Sequence, residues 1–317
     1  MRRKIKKCGE EKGQRYDKMN EEIFREKSAV IDVGSNSVRL MLLADGKVLY
    51  KTLETTRLGE GIAFSPVLQS EAQARTARAI AAFVTRAKNE GAKRVYAFAT
   101  AAVREAKNRD EFLALALRTS AVMIEVVSGE AEAALGMDGA LKNADGAVLD
   151  VGGASTEIAV RAGGKTAYKK SVPVGVVRLK DACGRNAAHI EKTCENAAAE
   201  FKDALELLQS VRGNVTAIGG TATTLGAIKA GLKEYDGTKV TGVRLSCEEL
   251  GRYAETLLAL PVEEIEKYPC MPKKRADVIG GGAAWLHVLT RCLRLPFLVV
   301  SDEDNLEGYA RSKGLLR

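Results

Sequence analysis

The sequence contains one short pattern twice. Residues 29–37 and 147–155 each consist of an apolar run that ends in an aspartate, followed by glycine and hydroxyl side chains. The copies are 118 positions apart, so that Asp32 matches Asp150. A strand that leads into such a turn presents backbone N–H groups able to hold a phosphate, with a carboxylate beside them that can hold a metal. The repeat therefore predicts two related halves that face each other across one phosphate site.

The elements that follow each copy support a duplication. In the first half the pattern predicts a helix opened by a capping box of Ser70 and Gln73, a helix at 109–117, and strands at 29–33, 38–43, 47–53, 95–99 and 122–127. In the second half it predicts strands at 146–151, 156–161, 165–172, 214–218 and 297–300, and helices at 189–208, 222–230, 247–258, 275–292 and 305–311. Both halves therefore begin with three strands and a helix, as expected for two duplicated α/β domains.

No long Gly/Ser/Pro linker separates the halves. We expect a domain at 29–135 and a second at 136–317, whose last helix packs back on the first domain. The site then lies in the cleft between them.

Charge and composition exclude several classes of protein. Residues 1–18 contain eight Lys or Arg against three Asp or Glu, and so account for five of the eight net positive charges. We expect a basic, disordered extension over 1–28, no nucleic-acid partner and no membrane partner. No apolar run could span a bilayer or form the core of a signal peptide, which favours a cytoplasmic protein. The six cysteines form no Cys-x-x-Cys pair, so reduced thiols are expected rather than disulfides or zinc.

Four segments rich in glycine or hydroxyls follow apolar runs, at 32–37, 150–156, 218–222 and 277–283. Glycine lets the backbone approach a phosphate closely, and Ser or Thr hydroxyls add donors. A helix that starts after the third segment would add its own N–H groups. The pattern predicts phosphate ligands at Asn36, Ser37, Gly152, Gly153, Ser155, Gly219, Gly220 and Thr221.

The chain resembles the exopolyphosphatase/guanosine-pentaphosphate phosphatase family, within the actin-like, sugar-kinase and Hsp70 ATPase superfamily. The motifs that carry the resemblance are in family order at 31–37, 57–61, 99–104, 127–133, 149–157, 218–221 and 275–279. The resemblance is to the short form of the family. It implies two ribonuclease H-like (actin-like ATPase) domains with mixed sheets and flanking helices.

The resemblance also assigns roles. It implies that Glu132 is the general base that activates water, that Arg104 grips a phosphate, and that Asp150, with Glu157 and Asp32, holds Mg²⁺, with Mn²⁺ as the alternative metal. From the residues alone, a solvent-facing helical glutamate is the favoured interpretation of Glu132, and each aspartate could cap the turn it precedes. The chain departs from the family pattern at Ala131 and Ala154.

The predicted function is Mg²⁺-dependent removal of terminal phosphate from inorganic polyphosphate, by water and without a covalent phosphoenzyme. Guanosine pentaphosphate is the alternative substrate. A superfamily kinase and a non-catalytic phosphate sensor are the other classes left open. Enzymes of this type often associate, so a homodimer is compatible with the resemblance. Arg57 and Arg275 are further phosphate-binding candidates, evenly balanced against surface ion pairs.

Overall fold

The computed structural model describes residues 26–211 and 215–316, without the side chain of Lys273. Most of the predicted extension at 1–28 lies outside these residues. No helix among those described combines the length and the apolar character that a membrane crossing requires.

The first half is built on five strands. They are β1 (Ser28–Val33), β2 (Ser37–Ala44), β3 (Lys47–Thr55), β4 (Arg94–Ala99) and β5 (Ile124–Val126). Its helices are α1 (Ser70–Asn89), α2 (Ala101–Glu105) and α3 (Arg109–Ser120), and α4 (Gly129–Leu141) leads into the second half. The predicted division at residues 135 and 136 falls within α4 and stays a prediction.

The second half is built on six strands. They are β6 (Gly146–Val151), β7 (Thr156–Ala162), β8 (Lys165–Val172), β9 (Val215–Ile218), β10 (Arg244–Ser246) and β11 (Phe297–Val300). Its α-helices are α5 (Val176–Cys183), α6 (Ala187–Ala198), α7 (Leu205–Ser210), α8 (Gly219–Lys229), α9 (Gly237–Val240), α10 (Cys247–Ala259), α11 (Val262–Ile265), α12 (Ala276–Cys292) and α13 (Asn305–Ser312).

The two sheets share an order of five strands, to which the second sheet adds β10 at one edge. The first has the strand order β3-β2-β1-β4-β5 and the second β10-β11-β9-β6-β7-β8. In each, the strand that carries the repeat pairs antiparallel with the next strand and parallel with the one on its other side. This arrangement confirms the predicted fold class of two duplicated α/β units with mixed sheets and flanking helices.

The duplication extends to irregularities of the backbone. The pairing of β2 with β3 shifts register between Leu42 and Leu43, and that of β7 with β8 shifts between Val160 and Arg161. These positions are also 118 residues apart. Since a bulge bends and twists a strand locally, both sheets curve at the same place.

Helix α13 joins the two halves by close backbone contact with α4. A β-carbon at Gly139 would lie 1.9 Å from the carbonyl oxygen of Asp304, and one at Gly308 would lie 1.9 Å from that of Leu135. The other side of α13 covers the first sheet, where Tyr309 stacks on Phe98 with ring centroids 4.5 Å apart. The chain's last described helix therefore packs on the first half and beside the helix between the halves.

One local prediction is confirmed in part and two are wrong. Residues 277–283, predicted both within a helix at 275–292 and as a glycine-rich phosphate segment, belong to the helix α12, where Gly280 and Gly282 permit contacts with Leu257 and Thr221. Ser70 does not cap α1, because the helix is preceded by Gln69, which makes no side-chain cap. The predicted helix at 189–208 is α6, a 3₁₀ turn and α7 in succession.

Candidate active site

A cleft of about 1600 Å³ opens between the two halves at the ends of the central strands. Both copies of the repeat line it, together with the start of α8 and the segment before α13. Loops that follow neighbouring strands converge at one edge of a sheet, so each half brings its own phosphate-type loop to this cleft. Three of the four predicted glycine-rich segments, at 32–37, 150–156 and 218–222, meet here.

The two copies of the repeat form the same turn. The N–H of Gly34 donates to the carbonyl of Ser37 over 3.1 Å, and the N–H of Gly152 donates to that of Ser155 over 3.0 Å. The turns touch across the cleft, because a β-carbon at Gly153 would lie 2.9 Å from Cβ of Ser35. Glycine at 153 is therefore what lets the loops of the two halves face each other this closely.

The third segment begins a helix instead of preceding one. Helix α8 starts at Gly219, whose φ of +83° favours glycine. A β-carbon there would lie 2.5 Å from Oδ1 of Asp150. The positive N-terminal end of α8 is thus next to the Asp150 carboxylate and opens into the cleft, with Thr221 in its first turn.

Glu132 lies in the first turn of α4, which Ser128 caps by accepting a hydrogen bond from the N–H of Ala131. Its side chain is buried, with 7% of the residue exposed, and still borders the cleft. Nη1 of Arg104 donates to Oε2 of Glu132 over 2.7 Å and to the carbonyl of Val127 over 3.2 Å. Burial raises the pKa of Glu132 to about 7 even though Arg104 opposes the shift.

Arg104 reaches this position through α2, the short helix that follows β4. It does not border the cleft directly, and its guanidinium is half-buried behind Glu132. Glycine at 129 makes room for this arrangement, since a β-carbon there would lie 2.6 Å from Cβ of Ser171 and 3.6 Å from Nη2 of Arg104. The two predicted catalytic residues are therefore brought together as one ion pair.

Asp150 ends β6 and is held by a residue that the sequence did not single out. Nδ2 of Asn305 donates to Oδ2 of Asp150 over 3.0 Å, which leaves Oδ1 beside the start of α8. Burial, reinforced by the Asp304 carboxylate, raises the pKa of Asp150 to about 6.

Glu157, on β7, is paired opposite Asp150 on β6 and is only 2% exposed. The hydroxyl of Ser171 donates to its Oε1 over 2.6 Å, while Oε2 is buried with no partner among the described residues. Burial and the carboxylates of Glu132 and Asp150 raise the pKa of Glu157 well above its usual range.

The first copy of the repeat has the opposite electrostatic environment. Arg39, on β2, is paired opposite Asp32 on β1. Its Nε donates to Oδ2 of Asp32 over 2.9 Å. Arg39 also pairs with Asp304 at the start of α13. Arg39 and Glu157 are 118 residues apart and are therefore equivalent in the repeat. One copy pairs its aspartate with a cation, whereas the other surrounds it with acids.

The carboxylates fit a divalent cation in part. Among the described residues, no three His, Cys, Asp or Glu side chains lie close enough to ligate one ion by themselves. Oδ1 of Asp32 and Oε2 of Glu157 are nonetheless buried without partners. Mg²⁺ in phosphoryl-transfer sites takes only one or two carboxylates and completes its shell with water and substrate oxygens. The donor set suits such an ion.

The predicted phosphate-binding candidate Arg57 and a second arginine, Arg178, are occupied elsewhere. Nη2 of Arg57 lies 2.8 Å from Oδ2 of Asp277, outside the residues that line the cleft. Arg178 pairs with Glu105 and donates to the carbonyl of Ala154 over 2.7 Å. These arginines connect elements of the fold through ion pairs and hydrogen bonds, and they do not line the cleft.

A network that sequence reasoning missed crosses the cleft. Nζ of Lys51, on β3, lies 2.6 Å from Oδ2 of Asp302 and 3.0 Å from Oε1 of Glu307. The run of acids at 302–307 in the sequence was the available signal, but nothing local shows that it faces the first half.

Comparison with known proteins agrees with this geometry. The sequence profile of the Ppx/GppA phosphatase family matches residues 37–313. The chain is 32% identical over 313 residues to exopolyphosphatase 2 of Mycobacterium tuberculosis, covering 90% of this chain and 97% of that protein. A solved Ppx/GppA family member from Aquifex aeolicus is 28% identical with a TM-score of 0.71, covering 92% and 98% of the two chains. A solved exopolyphosphatase-like protein is 27% identical with a TM-score of 0.82, covering 91% and 98%.

Proposed function

Because the chain belongs to the Ppx/GppA phosphatase family, we propose that it is an exopolyphosphatase, which removes orthophosphate from the end of inorganic polyphosphate. One observation carries the proposal: the buried Glu132, paired with the half-buried Arg104, borders a cleft into which three phosphate-type segments open. The name of the mycobacterial relative, exopolyphosphatase 2, supports this choice of substrate.

The proposed mechanism gives Glu132 the part of general base. Hydrolysis of a phosphoanhydride needs a group that orients water and accepts its proton. A carboxylate whose pKa is about 7 is matched to this task near neutral pH, since it is ionised there yet basic enough to take a proton. Arg104 fixes the position of the Glu132 carboxylate through its 2.7 Å hydrogen bond and adds positive charge beside the phosphoryl group.

The loops hold the phosphoryl oxygens in this proposal. Backbone N–H groups and hydroxyls of the two repeat turns and of the start of α8 face the cleft from opposite sides. The proposed donors are those of Asn36, Ser37, Gly153, Ser155, Gly219 and Thr221, whereas the N–H of Gly152 shapes its turn by donating to the carbonyl of Ser155. Donors fixed in advance around the developing charge usually supply the largest share of rate enhancement.

Mg²⁺ bound by Asp150 and Glu157 would neutralise phosphate charge during the transfer. Among the described residues, Oδ2 of Asp150 takes the hydrogen bond from Asn305 and leaves Oδ1 beside α8, and Oε2 of Glu157 has no partner. Asp32 would contribute less to metal binding, because Arg39 occupies its Oδ2. This assignment makes the second copy of the repeat the metal-binding one.

Orthophosphate release, followed with malachite green, tests the proposal. The substrates are inorganic polyphosphate, guanosine pentaphosphate and ATP, each with and without Mg²⁺. We expect Mg²⁺-dependent release from polyphosphate well above release from the other two. Release from guanosine pentaphosphate alone would show that this compound, and not polyphosphate, is the substrate. Release from none of the three would refute the enzymatic proposal.

A further inference from the structure

Each aspartate of the repeat accepts hydrogen bonds from one side chain among the described residues, and the two donors differ in charge. In the first copy the donor to Asp32 is the guanidinium of Arg39. In the second copy it is the amide of Asn305, whose Nδ2 lies 3.0 Å from Oδ2 of Asp150. A cation offsets the charge of the carboxylate that it binds, whereas a neutral amide leaves that charge in place. Of the two aspartates, the second therefore keeps its charge for a divalent cation.

The bond from Asn305 also decides which oxygen of Asp150 is available. The last torsion of an aspartate side chain is broad, so the backbone alone does not fix the orientation of the carboxylate. With Oδ2 bonded to Asn305, Oδ1 points towards Gly219, where a β-carbon would lie only 2.5 Å away. All three residues line the cleft. The carboxylate is thus held between the amide on one side and the start of α8 on the other.

The amide that holds Asp150 is itself fixed, because Asn305 is the first residue of α13 and follows the cap of that helix. Oδ1 of Asp304 accepts from the N–H of Leu306 over 2.9 Å, and the N–H of Asp304 donates to Oε2 of Glu307 over 2.8 Å. Asn305 is buried, with 4% of the residue exposed. A buried, capped helix end orients a side chain more precisely than a loop does.

The other end of the amide gains nothing from its position. Oδ1 of Asn305 is buried and accepts no hydrogen bond from any described residue. It lies against α4, where a β-carbon at Gly136 would be 2.8 Å away. A buried acceptor without a partner is unfavourable, and an apolar side chain of similar size would avoid this cost. Burial alone therefore does not account for an amide here, and its one hydrogen bond is to Asp150.

We propose that Asn305 is a positioning residue of the cation site, which orients the Asp150 carboxylate towards the cleft without neutralising it. The inference deepens the proposed function and rests on its assignment of the divalent cation to Asp150. Asn305 acts through Asp150 and not on the substrate, since its Nδ2 is taken by the carboxylate and its Oδ1 faces α4. Groups that orient a metal ligand in this way typically change metal affinity by about 10- to 100-fold.

Mn²⁺ is the probe, because electron paramagnetic resonance follows its binding without substrate or turnover. The full chain is titrated as the wild type and as Asn305→Leu and Asn305→Ala, which both remove the donor but differ in side-chain volume. Tyr309→Phe is the matched control, because it lies one turn further along α13 and loses a hydrogen bond to Glu125 outside the residues that line the cleft. A second readout is the Mg²⁺ concentration for half-maximal polyphosphate hydrolysis, measured beside kcat at saturating Mg²⁺.

We expect the Mn²⁺ dissociation constant to rise about 10- to 100-fold in both Asn305 variants and to change less than about twofold in Tyr309→Phe. The Mg²⁺ concentration for half-maximal activity should rise by a similar factor. The fall in kcat at saturating Mg²⁺ should be smaller, because excess metal refills the weakened site. A merely structural role would instead lower the melting temperature of the Asn305 variants and leave the Mn²⁺ affinity of the folded protein unchanged.

Unchanged Mn²⁺ affinity in folded Asn305→Leu or Asn305→Ala would overturn the inference, and so would an equal loss of affinity in Tyr309→Phe. A wild type that binds Mn²⁺ in a manner dependent on Asn305, but hydrolyses no polyphosphate, would refute the proposed function and leave the inference intact. Polyphosphate hydrolysis with a Mn²⁺ affinity that does not depend on Asn305 would do the reverse.

Discussion

At the scale of single residues, one position makes the two copies of the repeat unequal. Arg39 faces Asp32 in the first copy, and Glu157 faces Asp150 in the second. The first aspartate is thereby neutralised within the protein. The second is left among carboxylates whose pKa values burial raises. Such a cluster is stable only when protonated or when a cation is bound.

Two isosteric substitutions should change stability in opposite directions. Burial raises the pKa of Asp150 to about 6, so its ionisation destabilises the fold as pH rises through that value. In EDTA at pH 8, Asp150→Asn should therefore unfold at higher temperature than the wild type, with a gain of about 1–3 kcal/mol. At pH 5, where Asp150 is already protonated, the gain should largely disappear. Differential scanning calorimetry measures both.

Asp304→Asn is the matched control. Burial opposes ionisation of Asp304, but Arg39 and Lys51 outweigh it and lower its pKa, so its charge stabilises the fold. Asparagine also caps helices well, so the substitution removes the charge while keeping the cap on α13. Asp304→Asn should lower the melting temperature at pH 8. A decrease for both variants would show that Asp150 is not destabilising.

The site residues were predictable where the residues that act together lie in one short segment of the sequence. The repeat indicated Asp150 and the turns, and the family resemblance indicated Glu132 and Arg104. Asn305 was not predictable, because its partner Asp150 is 155 residues away and only the fold brings them together. The same holds for Lys51 and its acids on the far side of the cleft.

At the scale of elements, the close packing of two helices fixes the side of the cleft that contains Glu132. Helix α4 carries Glu132, and its other end contacts α13 without side chains between the two backbones. Helix α13 in turn begins with Asp304 and Asn305, which contact Arg39 and Asp150. The two helices therefore connect Glu132 to both copies of the repeat.

Gly308→Ala should disturb this contact. Its β-carbon would lie 1.9 Å from the carbonyl oxygen of Leu135, so the helices must separate. We expect a loss of roughly 1–3 kcal/mol in stability and reduced activity. Gly281→Ala, in the interior of α12 with open space around its β-carbon, should instead gain about 0.5–1 kcal/mol. If both variants melt at the same temperature, the close contact between α4 and α13 does not contribute to stability as proposed.

Elements were predictable from periodicity and less so from glycine. Buried runs identified β1 and β6, and turn residues identified the hairpins that follow. The Gly-Gly-Gly run at 280–282 was counted among the phosphate-type segments, yet two of these glycines serve helix packing. Single-sequence patterns do not distinguish glycine needed for a turn from glycine needed for a close contact.

At the scale of the whole molecule, duplication produced a cleft with two non-equivalent sides. Each half contributes the same turn, and the two turns touch at Ser35 and Gly153. The second half adds the acids that suit a metal and the start of α8. Glu132, the proposed base, comes from α4, the helix between the halves. We propose that it activates water in this cleft.

The most direct test is kcat for polyphosphate hydrolysis by Glu132→Gln at saturating Mg²⁺. Glu130→Gln is the matched control, since Glu130 lies in the same helical turn but is exposed and paired with Lys169. We expect a fall in kcat of about 10²–10⁴-fold for Glu132→Gln and almost none for Glu130→Gln. A folded Glu132→Gln variant that retains kcat within about threefold of the wild type would contradict it, because loss of a general base costs far more than this.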